Sequence, residues 1–222
     1  MNELLFIIQI LCVTTFTLGA LRLGKEALIA LISLEAVLAN LFVLKQISCF
    51  GLNITGTDVF AIGCILGLNL LQEYFGKEST KKASWICFFL LGFFALMAKL
   101  HLFYDPSPVD STHSSYVSIL SSAPRLVFTS LIVFFLVQRF DITFYGWLKT
   151  RFNKVPLMIR GSLSLIFSQL LDTTLFSYLG LYGLVDNLSH IILFSFVIKL
   201  LIVFSMSPFL TLSKRLVYDN NA

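Results

Sequence analysis

The chain has 222 residues, 57% of them hydrophobic and only 13% charged, with a formal net charge of +4. Its mean hydropathy of +0.89 exceeds what a soluble core of this length needs, and apolar runs of ~20 residues read as membrane-spanning helices. Barrel strands would alternate polar and apolar residues over ~10 positions and are excluded; nucleic acid is not an expected partner, because the positive charge gathers between the apolar runs.

The first run, Leu4 to Leu21, carries no charge. Acidic Glu3 stands where a signal peptide would carry basic residues, so this run is expected to be a span. A second run, Ala27 to Ile47, holds Glu35, Asn40 and Lys45. The third covers Thr55 to Phe75, with Asp58 and Glu73 near its ends. Ala83 to Tyr104 is the fourth, followed by a polar connection from Asp105 to Ser122. Ala123 to Tyr145 is the fifth, Leu157 to Tyr182 the sixth with Asp172 in its middle, and Leu188 to Leu212 the seventh with Lys199 near its centre. A bilayer offers no partners to the backbone, so each run is expected to be a helix. The expected fold is an all-α polytopic bundle of seven transmembrane helices, six being the alternative, in one transporter domain over residues 1–222.

Basic residues fall after every second run. They are Arg22 and Lys25, then Lys77, Lys81 and Lys82, then Arg139, Lys149, Arg151 and Lys154, and finally Lys214 and Arg215. Under the positive-inside rule this places the amino terminus outside and the carboxyl terminus in the cytoplasm. The cysteines Cys12, Cys49, Cys64 and Cys87 form no CxxC pair and lie far from the three histidines. Neither a metal site nor a disulfide framework is expected, and these residues read as small apolar side chains.

Charged and amide groups inside the apolar runs are the candidates for function, because a charge at mid-bilayer costs ~2.5–3.5 kcal/mol on insertion scales. Gln169 and Asp172 are three residues apart and share a helix face, which Phe176 joins. Together they supply donors, acceptors and a flat apolar surface, a set suited to a planar hydrogen-bonding molecule. The alternative for each polar residue is interhelical adhesion, worth ~0.6 kcal/mol per contact in membranes. Asp58, Asn69 and Glu73 form a second stripe at spacings of eleven and four. Glu35 and Asn40 lie in the second run, where Lys45 either snorkels or functions. Lys199 is too deep to snorkel and is expected to pair with Asp172 or Glu35, as a structural or a gating pair. A weak internal echo links Arg125, Gln138, Asp141 and Phe144 to Arg160, Gln169, Asp172 and Phe176; repeats of this kind often build transporter sites.

These motifs meet a known pattern. Asn40 followed by Lys45, the stretch Asn69 to Lys77 with its Glu73, aromatic and Gly76, Ser168-Gln169 with Asp172 and Phe176, and Lys199 with Pro208 occur in that order. In this the chain resembles the queuosine precursor transporter family, also described as a vitamin uptake family, over residues 36 to 215. Many members carry Asp at the position of Asn69, so substrate preference or ion coupling is expected to differ here. The resemblance implies a bacterial inner-membrane carrier of 7-deazaguanines such as preQ0, preQ1 or queuine, feeding tRNA modification. Such a base shows a ring N–H beside an exocyclic amine, which a carboxylate can accept together, and a carbonyl that an amide can meet. Asp172 or Glu73 would take the N–H edge, and Gln169, Asn69 or Asn40 the carbonyl side, with Phe176 for stacking. Glu35, Lys45, Asp58 and Lys199 are the expected coupling or gating residues.

No cofactor or metal is expected. The expected partners are a small planar nucleobase-like substrate and the lipid bilayer. Proton and sodium coupling are both open, as is assembly into a homodimer. The second functional reading is a substrate-binding membrane subunit for a vitamin or nucleobase that needs an energising partner, since no Walker motif is present. An intramembrane enzyme is disfavoured by the lack of HExxH, GxSxG or a Cys/His constellation.

Overall fold

The computed structural model describes residues 1–43, 45–120, 124–183 and 188–218; for residues 52, 53, 124–127, 181, 190 and 215–218 it describes the backbone alone. Helices α1 (Asn2–Leu23) and α2 (Lys25–Leu41) are followed by strands β1 (Gln46–Cys49) and β2 (Leu52–Thr55). Next come α3 (Asp58–Phe75), α4 (Lys77–His101), the short α5 (His113–Leu120), α6 (Pro124–Arg151) and α7 (Leu157–Phe176). A π-helical turn (Ser177–Leu181) extends α7, and α8 (Leu188–Met206) and α9 (Phe209–Tyr218) end the described chain.

Five stretches among the described residues are long and apolar enough to cross a bilayer: α1, α3, α4, residues 128–151 of α6, and residues 191–214 through α8 and α9. The protein is therefore a multi-pass helical membrane protein. Two expected spans fall outside this group for different reasons. α2 has only 17 residues and begins with Lys25 and Glu26. α7 has 20 residues but carries Arg160, Gln169 and Asp172 among them. Within the bundle, α2 buries Glu35, and α7 buries Arg160, Ser164, Ser168 and Gln169.

The second run departs from expectation. Its helix stops at Leu41, capped by the Phe42 amide on the Leu38 carbonyl, and an antiparallel hairpin follows, with Cys49 opposite Leu52. Phe50 and Gly51 both take positive φ, 53° and 75°, the signature of a tight two-residue hairpin turn. The hairpin is tied to the start of α1. Asn2 donates to the Ser48 carbonyl at 2.8 Å, the Phe50 amide donates to Glu3 at 3.3 Å, and the Phe50 ring meets Phe6 edge-on at 6.3 Å. Alternating polar and apolar residues in Gln46–Cys49 suit a strand with one wet face better than a lipid-facing helix.

At the opposite end, Gly24 and Gly76 each join two helices through a single residue with positive φ. The basic connections gather there. Lys149 of α6 donates to the Gln72 and Glu73 carbonyls of α3, Arg160 of α7 reaches Glu73, and Tyr74 bonds Ser213 of α9. The bundle thus has a basic end and a hairpin end.

α3 runs through the middle and is buried over nearly its whole length. Two glycines one turn apart let α2 approach it closely. A Cβ on Gly63 would sit 2.7 Å from Val13 and 2.9 Å from the Glu35 carboxyl, and one on Gly67 would sit 2.6 Å from Ile32. Membrane helices lack a hydrophobic drive toward each other, so close backbone packing of this kind carries much of their association.

Candidate functional site

Asp58 opens α3 and Glu73 nearly closes it. At ~100° per residue, Asp58, Asn69 and Glu73 fall within about 60° of one another on that helix. Asp58 makes an ionic contact with Lys199 of α8, and Glu73 with Arg160 of α7 and Lys149 of α6, so this stripe faces those helices. α3 and α7 run antiparallel, since the first residue of α3 shares Lys199 with Asp172 in the late part of α7, while Glu73 meets Arg160 in its first turn.

Toward the hairpin end, Lys199 of α8 lies 2.5 Å from Asp172 and 3.9 Å from Asp58. Lys199 and Asp58 are buried, whereas the Asp172 side chain keeps 24% of its surface exposed. Two carboxylates thus share one ammonium, leaving the trio formally negative. Lys199 pairs with Asp172 and not with Glu35, and it recruits Asp58 from a third helix.

Glu73 heads a separate cluster at the basic end. One of its oxygens accepts from Arg160 at 3.1 Å. The other accepts from the Tyr145 hydroxyl at 2.9 Å and lies 3.3 Å from Lys149. Both oxygens are engaged, and the Arg160 that Glu73 meets lies about 18 Å along α7 from Asp172. Nothing in the local sequence pairs Arg160, Lys149 or Tyr145 with Glu73; only tertiary packing brings these three residues from two other helices to it.

Between these clusters lie amides with buried polar atoms that have no protein partner. Neither polar atom of the Asn69 side chain has a partner, although the residue is fully buried. The Gln169 carbonyl oxygen and the Thr173 hydroxyl are buried and unpartnered too. Asn69 is one turn, about 6 Å, inward from Glu73, and Gln169 is about 4.5 Å inward from Asp172 along the helix axes. Nearly every buried polar group in a folded protein finds a hydrogen bond, and an orphan costs ~1–3 kcal/mol. Orphans on α3 and α7 leave donors and acceptors open to a polar ligand. Phe176, half-buried, follows Asp172 by one turn at the point where α7 becomes a π turn; such turns recur at functional sites.

The remaining candidates lie elsewhere. Asn40 donates to the Ala36 carbonyl and accepts from Ser130 at 2.9 Å, so its amide is spoken for. Glu35 accepts from Thr17 at 3.3 Å and packs beside Gly63. Lys45 is exposed in the turn before the hairpin. A cavity of about 450 Å³ between the far part of α4 and α5 is lined by Phe94, Met97, His101, Tyr104 and Leu120 and includes none of the candidate residues. In the internal echo, the Arg125 side chain lies outside the described residues, and Phe144 stacks with Phe140 and Trp147 rather than facing the amides.

Comparison with known proteins adds an independent line. Residues 55–213 match the family model described as "Putative vitamin uptake transporter". A Bacillus subtilis (strain 168) protein named "Probable queuosine precursor transporter" is 28% identical over 198 residues, covering 87% of this chain and 86% of that one. No solved structure matches the chain.

Proposed function

Because this chain belongs to the vitamin uptake transporter family, and is a multi-pass membrane transporter rather than an enzyme, we propose that it imports 7-deazaguanine bases for tRNA modification. The bacterial plasma membrane is the proposed location, with the whole chain acting as one membrane domain. α2 and α7 complete seven crossings in this reading. The basic end faces the cytoplasm by the positive-inside rule, and the amino terminus lies outside.

The observation that carries the proposal is Asn69. A buried amide with both polar atoms free is costly unless a ligand meets it. A 7-deazaguanine offers a carbonyl beside a ring N–H, which matches the donor and acceptor of one amide. Gln169 supplies a further acceptor for the N–H and amine edge, and the partly exposed Asp172 strengthens that edge with charge. Phe176 provides a ring for the base face. The ionic clusters at Lys199 and at Glu73 lie on either side of these groups, where alternate opening of each would give access from one side at a time.

The test is uptake of labelled queuine and preQ1 in a strain unable to make or import queuosine precursors, with restored tRNA modification as the readout. Uptake by this chain alone, without an ATPase module, is expected. Absence of uptake of both bases, with the protein intact in the membrane, overturns the reading.

A further inference from the structure

Among the described residues, five of the carboxyls on the helices have a cation or the chain's own ammonium within 4 Å: Glu3, Asp58, Glu73, Glu78 and Asp172. Glu35 and Asp141 have none and are both buried; Glu35 packs against Thr17 of α1 and Gly63 of α3, whereas Asp141, 1% exposed, lies against α7. It lies ten residues before the end of α6, about 15 Å from the basic end and so near mid-bilayer. One of its oxygens accepts from Ser164 at 2.5 Å and from Ser168 at 2.8 Å, both on α7. Its second oxygen is buried and has no protein partner.

The hydrogen-bonding groups that neighbouring elements bring to this part of α6 are neutral. α7 presents the two serines. On α6 itself, Gln138 one turn away bonds Ser84 of α4, and Tyr145 one turn the other way bonds Glu73 of α3. Cys87 of α4 contacts Gln138, and the Gln72 amide of α3 donates to the Ile142 carbonyl. From the π turn, which also packs on α6, buried Ser177 is uncharged and Tyr178 is exposed. The charges on the surrounding elements are Glu73, Arg160 and Lys149 in the cluster beyond Tyr145, Lys77 of α4, whose ammonium lies 3.6 Å from the Cβ position of Gly146, and Arg139 of α6 itself, which stacks over Trp85 and Phe135. An ionised carboxylate so placed has hydroxyl donors on one oxygen and nothing on the other. An isolated buried charge of this sort takes up a proton instead, and intramembrane carboxyls of this kind mark proton relays.

We propose that Asp141 is the proton-coupling site of this carrier: its free oxygen takes a proton from the outer side and releases it on the basic side as α6 and α7 shift past each other. This rests on the transport reading above. Ser168 is the link to the substrate, because it is adjacent in sequence to Gln169. No group of three His, Cys, Asp or Glu side chains assembles around it to hold a transition metal among the described residues, and the sodium arm of the test separates a proton from an alkali cation.

The test uses the purified full chain in liposomes with labelled preQ1. Counterflow exchange, driven by unlabelled preQ1 inside, checks transport without an ion gradient. Accumulation under an imposed pH gradient, alkaline inside, checks coupling. The native protein is expected to do both and to acidify the lumen, read by a trapped pH dye, when preQ1 is added outside. Asp141→Asn is expected to keep counterflow and lose at least tenfold in gradient-driven accumulation. Accumulation by Asp141→Asn equal to that of the native protein overturns the proposal. Counterflow by the native protein with no dye response, or accumulation that follows sodium and ignores pH, overturns it as well. Neither of those native-protein outcomes depends on the variant folding, and absence of native counterflow is the distinct signature of a failed transport reading.

Discussion

Replacing Lys199 with Met tests the ionic trio most directly. The substitution keeps the length of the side chain and removes the charge, leaving Asp58 and Asp172 to repel each other across the space the ammonium filled. Removing one partner from a buried pair costs about 3–5 kcal/mol. The two carboxylates should not contribute equally. Coulomb energy falls inversely with distance, so contacts of 2.5 and 3.9 Å favour the Asp172 pair by a factor of about 1.6 before its hydrogen bond is counted. Greater exposure of Asp172 works against this, but at 24% it leaves the order unchanged. Double-mutant cycles of Lys199→Met with Asp172→Asn and with Asp58→Asn, measured by reversible unfolding in mixed micelles, give the two coupling energies. The Lys199–Asp172 coupling is expected to be the larger, and Lys199→Met with Asp172→Asn to be more stable than Lys199→Met alone. Additive effects for Lys199 and Asp172 would refute the reasoning.

Other consequences can be measured in the same system. Asn69→Leu removes two orphaned polar atoms and is expected to leave stability unchanged or raise it by about 1 kcal/mol, while preQ1 uptake falls at least tenfold; loss of stability together with uptake would point to a structural role. Glu73→Gln leaves Arg160 buried beside a neutral amide and is expected to cost about 2–3 kcal/mol, recovered in part by adding Arg160→Met, with thermal unfolding in detergent as the check. Gly67→Leu drives a side chain into Ile32 and is expected to destabilise by about 1–3 kcal/mol, seen as a lower melting temperature; an unchanged melt would show that α2 and α3 are less closely packed than described. Lys45→Ala, exposed and outside the ionic clusters, is expected to change stability by less than about 0.5 kcal/mol and to leave uptake intact.

Much of the fold was legible in the chain itself, because lipid imposes one rule on every span. Long apolar runs had to be helices, and α1, α3, α4, α6 and the pair α8 and α9 follow those runs closely. The clustering of Arg22, Lys25, Lys77, Lys149 and Lys214 near alternate run ends announced a single basic end. Scarce charges in apolar runs announced Asp172 and Lys199 in the same way, and the same signal stands at Asp141, within the echo of Gln169 and Asp172. The hairpin was harder to see, since Leu41 to Cys49 is apolar enough to continue a helix and only Phe50-Gly51 breaks it.

Partnership was what the sequence could not determine. Asp58, Asp172 and Lys199 are separated by 114 and 27 residues, and no local periodicity relates them; they meet because α3 and α7 pack antiparallel with α8 beside them. Glu73 reads from the sequence as a base-reading carboxylate, yet α6 and α7 deliver Tyr145, Lys149 and Arg160 to occupy it. Helical spacing sets which side of its own helix a residue occupies. Which groups lie across from it, and whether a buried amide such as Asn69 is left without a partner, depends on how whole helices are set against each other.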